Sequence, residues 1–359
     1  MSGRAKALID LGALRNNCDV VRRLVGNDCQ ILAMIKADAY GHGLLKVADA
    51  LSEVDALGVA NLDEALLLRQ RNIKTPVIVM SGFLSQEELS LFPENNLAAV
   101  VHHDAQLALL EKVSLQTPLA VWLKIDTGMH RLGFSPDNVN TVVKRLKRCA
   151  SVQADFGLMT HLADADNVDR QFTQAQLSEF FEVTQSLSQL KSIANSAGIL
   201  AYRESFQDMV RPGIMLYGVS PFSDRVGLDD HLQPVMHLTS QVIATKDLKQ
   251  GDKVGYGCTW ESPEDMRIAV VGIGYGDGYP RHAKNGTPVL INGVRCPLVG
   301  RVSMDMITVD LRHQPDVSVG DEVVLWGRGL PVETIAAAAD TIAYELLCQL
   351  TRRIAFVYV

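Results

Sequence analysis

Between residues 30 and 218 the chain repeats one pattern eight times: a short apolar run, then a stretch whose apolar residues recur at helical spacing. The runs are QILAMIK (30–36), ALGVAN (56–61), PVIVMS (76–81), LAAVVH (97–102), LAVWLKID (119–126), ADFGLMTH (154–161), SIANSA (192–197) and GIMLYG (213–218). Strands apolar on both faces belong to parallel sheets covered by helices. Eight such repeats in about 220 residues predict a closed (β/α)8 TIM-type barrel, with an open doubly wound sheet as the alternative. Leu11, Leu14, Cys18, Val21 and Val25 share one helical face. Ser85 with Glu88 spells a capping box, and Ser135 before Pro136 marks a further helix start.

After Pro234 the texture changes. Turn signals such as 249–252, 291–293 and 319–321 arrive at short intervals, separating segments rich in Val, Ile and Thr. HLTSQVIATKDL, PVLING, MITVDL, DEVVLWG and the terminal RIAFVYV read as strands, with one helix over 331–350. The expected division is a barrel over 1–230 and a mostly-β C-terminal domain over 231–359, the first residues of the chain being available to pair with the second domain.

Composition limits the partners. With 34 basic against 41 acidic residues spread along the chain, there is no basic footprint for nucleic acid and no polybasic stretch for a membrane surface. Six scattered cysteines without a C-x-x-C pair give no metal site and read as buried free thiols. No signal peptide and no apolar run of roughly 18 residues is present, so the expected location is the cytoplasm.

In a parallel barrel the chemistry sits where strands end. Lys36 closes one apolar run and precedes the polar, Gly-rich DAYGHG. A lysine desolvated there becomes a nucleophilic amine, as a Schiff-base lysine requires, although a solvated lysine capping a strand is the commoner meaning of that position. His161 also ends an apolar run, where a buried core histidine is the usual explanation.

The stretch AMIKADAYGHG around Lys36 resembles the cofactor-lysine signature of the alanine racemases. The similarity continues in order through DTGMHRLG (126–133), ANSAG (194–198), RPGIMLYG (211–218), VGYG (254–257), GYGDGYPR (274–281) and VGRVSMDM (299–306). The resemblance implies interconversion of L- and D-alanine on pyridoxal 5'-phosphate by two bases, for cell-wall synthesis or alanine breakdown. Lys36 would hold the cofactor and act on D-alanine, and Tyr256, from the partner subunit of a homodimer, would act on L-alanine. It further implies cofactor contacts from Tyr40, His161, Ser196, Arg211, Gly213, Ile214 and Tyr344, and substrate contacts from Arg131, Met304 and Asp305. Lys124 matches a lysine that many members carbamylate, and Asp166, Tyr275, Arg281, Arg301 and Ile342 match an access channel.

Several of these positions have plainer readings. Arg211 could pair with Asp208 at the surface, Lys124 with Asp126, and Tyr344 could be a packed aromatic of its helix. Arg211 also separates activities, because related barrel decarboxylases place an acid opposite the pyridine nitrogen. A decarboxylase of the same barrel-plus-β fold and a non-catalytic cofactor carrier are the competing functions; Arg211, Tyr256 and the short chain speak against the first, and the second domain with its Tyr256 block against the second. Cys258, Gln349 and Leu162 depart from the family pattern without removing a proposed catalytic group.

Overall fold

The computed structural model describes residues 5–167 and 171–359. It divides into two compact units, one of residues 17–39 and 43–216, the other of the chain up to 16 with 40–42 and 217–359. A first strand, β1 (Lys6–Ile9), belongs to the second of these.

The first unit is a closed barrel of eight parallel strands: β2 (Gln30–Met34), β3 (Ala56–Val59), β4 (Val77–Val79), β5 (Leu97–Val101), β6 (Val121–Lys124), β7 (Gly157–Met159), β8 (Lys191–Ser192) and β9 (Met209–Val210). The ring closes because β9 pairs in parallel with both β2 and β8, so the open-sheet alternative does not apply. Runs such as Ala56–Val59 and Val77–Val79 are buried at every position, as the absence of polar alternation required.

Two of the eight predicted strands are displaced. The run SIANSA is strand only as far as Ser192; Asn195 then accepts a hydrogen bond from the Gly198 amide at 2.9 Å and caps a helix, Ser196–Ala201. The run GIMLYG is a 3-10 turn, Ile214–Tyr217, and the eighth strand is Met209–Val210. Pro212 has no amide to give a ladder, and the Gly213 amide donates to Ser196 Oγ instead.

Helix starts follow local chemistry. Ser85 accepts from the Glu88 amide at 3.2 Å, while the Glu88 carboxylate reaches past the cap to the Leu84 amide at 2.7 Å. Ser135 makes no capping bond, and a 3-10 turn at Pro136–Asn138 leads into the helix Val139–Arg148. The helix Leu11–Val25 buries Leu14 and Val21 fully, with Ala13, Asn17 and Val20 beside them.

The second unit is built on antiparallel strands. These are β10 (Met236–Leu248), β11 (Lys253–Val254), β12 (Trp260–Glu261), β13 (Met266–Val271), β14 (Pro288–Ile291), β15 (Val294–Pro297), β16 (Ile307–Asp310), β17 (Glu322–Trp326) and β18 (Ala355–Tyr358). β1 lies in this sheet, antiparallel to β10 and parallel to β18. Asn292 and Gly293, both at positive φ (51° and 79°), make the two-residue turn between β14 and β15 that the Asn-Gly pair predicts. The single helix expected over 331–350 is two, Val332–Ala338 and Ala343–Cys348, parted where Asp340 adopts a φ of 56°. No helix among the described residues is long and apolar enough to cross a membrane.

Candidate active site

Within the barrel, the candidate residues follow the strand ends. Lys36 comes two residues after β2, Lys124 ends β6, His161 follows β7, Ser196 follows β8 and Arg211 follows β9. Five different strands thus aim polar groups at the C-terminal face, where barrel enzymes carry their chemistry.

Lys36 does not close a strand as its apolar run suggested. It opens a six-residue helical turn, Lys36–Gly41, in which residues 37–41 all have φ between 51° and 77°. Left-handed backbone costs L-residues about 1–2 kcal/mol each, so the turn persists only because it is tied down. Asp38 Oδ1 accepts from the Leu44 amide at 2.7 Å, the Asp38 carbonyl accepts from Gly43 at 3.0 Å, and the Ile35 carbonyl accepts from Ala39 at 2.8 Å. At Gly41 a Cβ would stand 2.1 Å from the Leu347 carbonyl oxygen, so only glycine lets the chain pass.

Arg211 is buried, with only 3% exposure. Its guanidinium donates to Ser192 Oγ at 2.6 Å, the Thr160 carbonyl at 2.5 Å and the Ile193 carbonyl at 3.0 Å, and lies 3.4 Å from His161 Nδ1. Among the described residues it has no carboxylate partner, and Asp208 instead accepts from the Lys191 amide. Surface pairing with Asp208 is therefore excluded. Burial without a counter-ion pulls its pKa down to about 10.

The same field acts on its neighbours. Burial, then the charges of Arg211, Lys124, Arg131 and Lys36, holds His161 well below the ordinary histidine range, so its imidazole is neutral. Burial is also the main cause that brings Lys124 down to about 7; Arg211, Arg131 and Lys36 add to it and Asp126 opposes it. No ion pair joins Lys124 to Asp126, whose carboxylate accepts from the amides of Gly128 and His130. Arg131 is exposed on the loop after β6, and Asp166 is exposed beside the undescribed residues 168–170.

Ser196 Oγ accepts from the Gly213 amide at 2.9 Å and the Met215 amide at 3.4 Å, gathering the two loops that follow β8 and β9. A mouth with Lys36, Arg131, Arg211 and a partly charged Lys124, and a serine on a helix start, suits a ligand carrying a phosphate and a carboxylate.

In the second unit, Tyr40 is buried against Tyr217 (ring centroids 4.7 Å apart) and near Tyr344 (6.1 Å), and burial pushes its phenol pKa up. Tyr344 thus stands next to the Tyr40 ring. Tyr256 is 70% exposed, Met304 52% and Ile342 62%. Arg301 is a neighbour of the glycines on either side of Tyr256, since a Cβ at Gly255 would stand 3.2 Å from its amide nitrogen and one at Gly257 3.3 Å from Nη1, and Tyr275 and Gly276 donate their amides to the carbonyls of Ser303 and Met304. Tyr256, Arg301, Met304 and Tyr275 thus share one surface of this unit. A cleft of 700 Å³ beside it is lined by Tyr275, Arg281, His282, Thr341 and Gln349, among others.

Sequence reasoning missed the groups that anchor Arg211, namely Thr160 and Ser192, and the ring of Tyr217 stacked on Tyr40. Ser192 and Thr160 both sit at strand ends beside named residues, which was a usable signal.

Comparison with known proteins agrees with this layout. The family models "Alanine racemase, N-terminal domain" and "Alanine racemase, C-terminal domain" match residues 9–221 and 235–358. An alanine racemase of Coxiella burnetii is 55% identical over 359 residues, covering 99% of this chain and 98% of that protein. One from Nitrosococcus oceani is 51% identical over 349 residues, covering 97% and 98%. Among solved structures, the biosynthetic alanine racemase of Pseudomonas aeruginosa superposes with a TM-score of 0.96 at 39% identity, and that of Acinetobacter baumannii with 0.93 at 40%, each pair covering 99% of both chains.

Proposed function

This chain belongs to the alanine racemase family, isomerases that interconvert L- and D-alanine, and from that premise we propose that Lys36 and Tyr256 are its two bases and pyridoxal 5'-phosphate its cofactor. The Lys36 amine would hold the cofactor. Ser196, the amides of Gly213 and Ile214, and the hydroxyls of Tyr40 and Tyr344 hold the phosphate. Arg211, with His161 beside it, would lie on the ring-nitrogen side of the bound cofactor. When bound, the cofactor supplies the electron sink that acidifies the α-C–H of alanine.

The observation that carries this reading is the buried Arg211, fixed by neutral acceptors and without a carboxylate. A guanidinium does not yield its proton as an acid would, so a ring nitrogen held against Arg211 would remain unprotonated. That restrains the electron sink and favours a proton exchange over decarboxylation, which speaks for the racemase among barrel enzymes of this kind.

The remaining roles belong to the substrate. Arg131 binds the alanine carboxylate through its forked donors, and the Lys124 amine, whose pKa is lowered to about 7, is about half neutral at pH 7 and can be carbamylated to orient Arg131. The amide of Met304, with Asp305, closes the site. Asp166, Tyr275, Arg281, Arg301 and Ile342 line the access channel and keep larger amino acids out.

Racemisation needs one base on each face of the α-carbon, and Tyr256 comes from a second copy of the chain. Its exposure, together with that of Met304 and Ile342, supports a covering partner, because large exposed side chains grouped on one surface mark an interface. The enzyme is therefore a homodimer with two shared sites, and a cytoplasmic one. Purified protein should show the yellow absorbance of the cofactor and bring L-alanine to zero optical rotation. Carbon dioxide release, or a colourless protein that stays inactive after the cofactor is added, would overturn the reading.

A further inference from the structure

The loop that carries Met304 and the turn that carries Tyr275 are not independent. The Gly274 amide donates to Asp277 Oδ2 at 2.9 Å, closing the turn Tyr275–Asp277 on itself. Tyr275 and Gly276 then donate to the carbonyls of Ser303 and Met304 at 3.0 and 2.8 Å. Gly276 faces a crowded side, since a Cβ there would lie 2.5 Å from Arg353 Nη1 and 3.0 Å from the Met304 oxygen.

The segment after the helix Ala343–Cys348 crosses this pair like a strap. Gln349 donates to the Gly278 carbonyl at 2.8 Å, Thr351 Oγ1 to the Gly276 carbonyl at 3.0 Å, and the Thr351 amide to the Asp277 carbonyl at 3.1 Å. Arg353 completes it by forking between two carboxylates: Nε lies 3.0 Å from Asp277 Oδ1 and Nη2 lies 2.6 Å from Asp305 Oδ1. Asp277 is buried, so this carboxylate is already desolvated and needs its partner. Asp305 is half-exposed, and among the described residues its carboxylate is held from the Arg353 side. Its carboxylate is thus committed to the strap, which leaves the backbone of residues 304–305 to face the substrate.

We propose that Arg353 is a positioning residue for substrate binding, which sets the Met304–Asp305 backbone relative to the Tyr275 turn by clamping Asp305 to Asp277. The proposal rests on the reading that Met304 and Asp305 face alanine and that Tyr275 lines its access channel. Arg353 itself touches neither alanine nor the cofactor. A guanidinium suits the task because its rigid fork binds two acceptors at a fixed separation, whereas an ammonium binds as a point charge.

The test uses the full-length dimeric holoenzyme with Arg353→Ala and Arg353→Lys. Arg312→Ala serves as a control, because Arg312 forks in the same way between Asp310 and Glu264 at the far end of β16. In Arg353→Ala the KM for L-alanine should rise about tenfold while kcat and cofactor absorbance change by less than about twofold. Arg353→Lys should fall between that variant and the parent, and Arg312→Ala should leave KM unmoved while lowering the melting temperature comparably. A KM unchanged in Arg353→Ala, or raised equally in Arg312→Ala, overturns the proposal. If Arg353→Ala does not fold, Arg353→Lys decides, and a parental KM there overturns it. Failure of the underlying reading would appear separately, as a parent protein that does not racemise alanine.

Discussion

In the barrel the candidate residues Lys36, Lys124, His161, Ser196 and Arg211 are buried or half-buried, with only the loop residues Arg131 and Asp166 exposed; in the second unit most candidates stand exposed. Burial lowers the pKa of His161, Lys124 and Arg211, and neighbouring cations lower those of His161 and Lys124 further. Tyr256, Met304 and Ile342 instead sit on a surface, and the strap around Arg353 fixes the backbone there rather than any proton affinity. Electrostatic tuning is thus complete within one barrel, while the second unit offers geometry that waits to be covered. This is the arrangement expected when a site is assembled from two copies, because a folded monomer can desolvate only its own half.

The first way to break this comparison is at its barrel end. Lys36→Ala should abolish cofactor absorbance and racemisation together; retained yellow colour with activity would remove Lys36 from the account. On the other side, Tyr256→Phe should keep the colour and lose about 10²–10⁴-fold in the rate of racemisation from L-alanine, the worth of a general base. Normal racemisation by that variant would end the two-base reading even with Lys36 correctly placed.

Two smaller effects sharpen the contrast. Gly41→Ala places a methyl group against the Leu347 carbonyl at a φ of 77°, and should destabilise the fold by about 3 kcal/mol in denaturant titrations. An unchanged midpoint would show that the left-handed turn relaxes freely. Lys124→Met should stabilise the protein by about 1–2 kcal/mol at pH 6, where the parent must bury an ammonium without an ion-pair partner. The folded amine loses its proton near pH 7 and the unfolded one near 10.4, so the unfolded chain binds more protons between those values. The parent therefore gains stability as pH rises through that window, and the advantage of the variant should shrink towards pH 10. A pH-independent difference would mean that Lys124 keeps its ordinary pKa.

Much of this was legible in the residues. The barrel could be read because its strands are apolar on both faces, a property local enough to survive without knowing the neighbours. The eighth strand was not, because GIMLYG is as apolar as the others and only Pro212 and the Ser196 hydroxyl turn it into a 3-10 turn. The left-handed turn after Lys36 was equally hidden: Ala37, Asp38 and Ala39 carry no left-handed preference strong enough to announce it, and the bonds to Asp38 that hold it come from the fold. At the site, residue types at strand ends were visible, but the burial that turns Arg211 from a surface cation into an unpaired internal one is a property of five strands at once. Arg353 went unnoticed because its partners, Asp277 and Asp305, are 76 and 48 residues away in sequence.

The shared site can be tested directly by mixing two inactive dimers, Lys36→Ala and Tyr256→Phe, and letting their subunits exchange. In a mixed dimer one barrel keeps Lys36 and receives an intact Tyr256 from its partner, while the other site is doubly defective. Random pairing at equal amounts should then restore about a quarter of the parental activity. If subunits exchange and no activity returns, both bases come from the same chain, and the account of a site completed by a second copy is wrong.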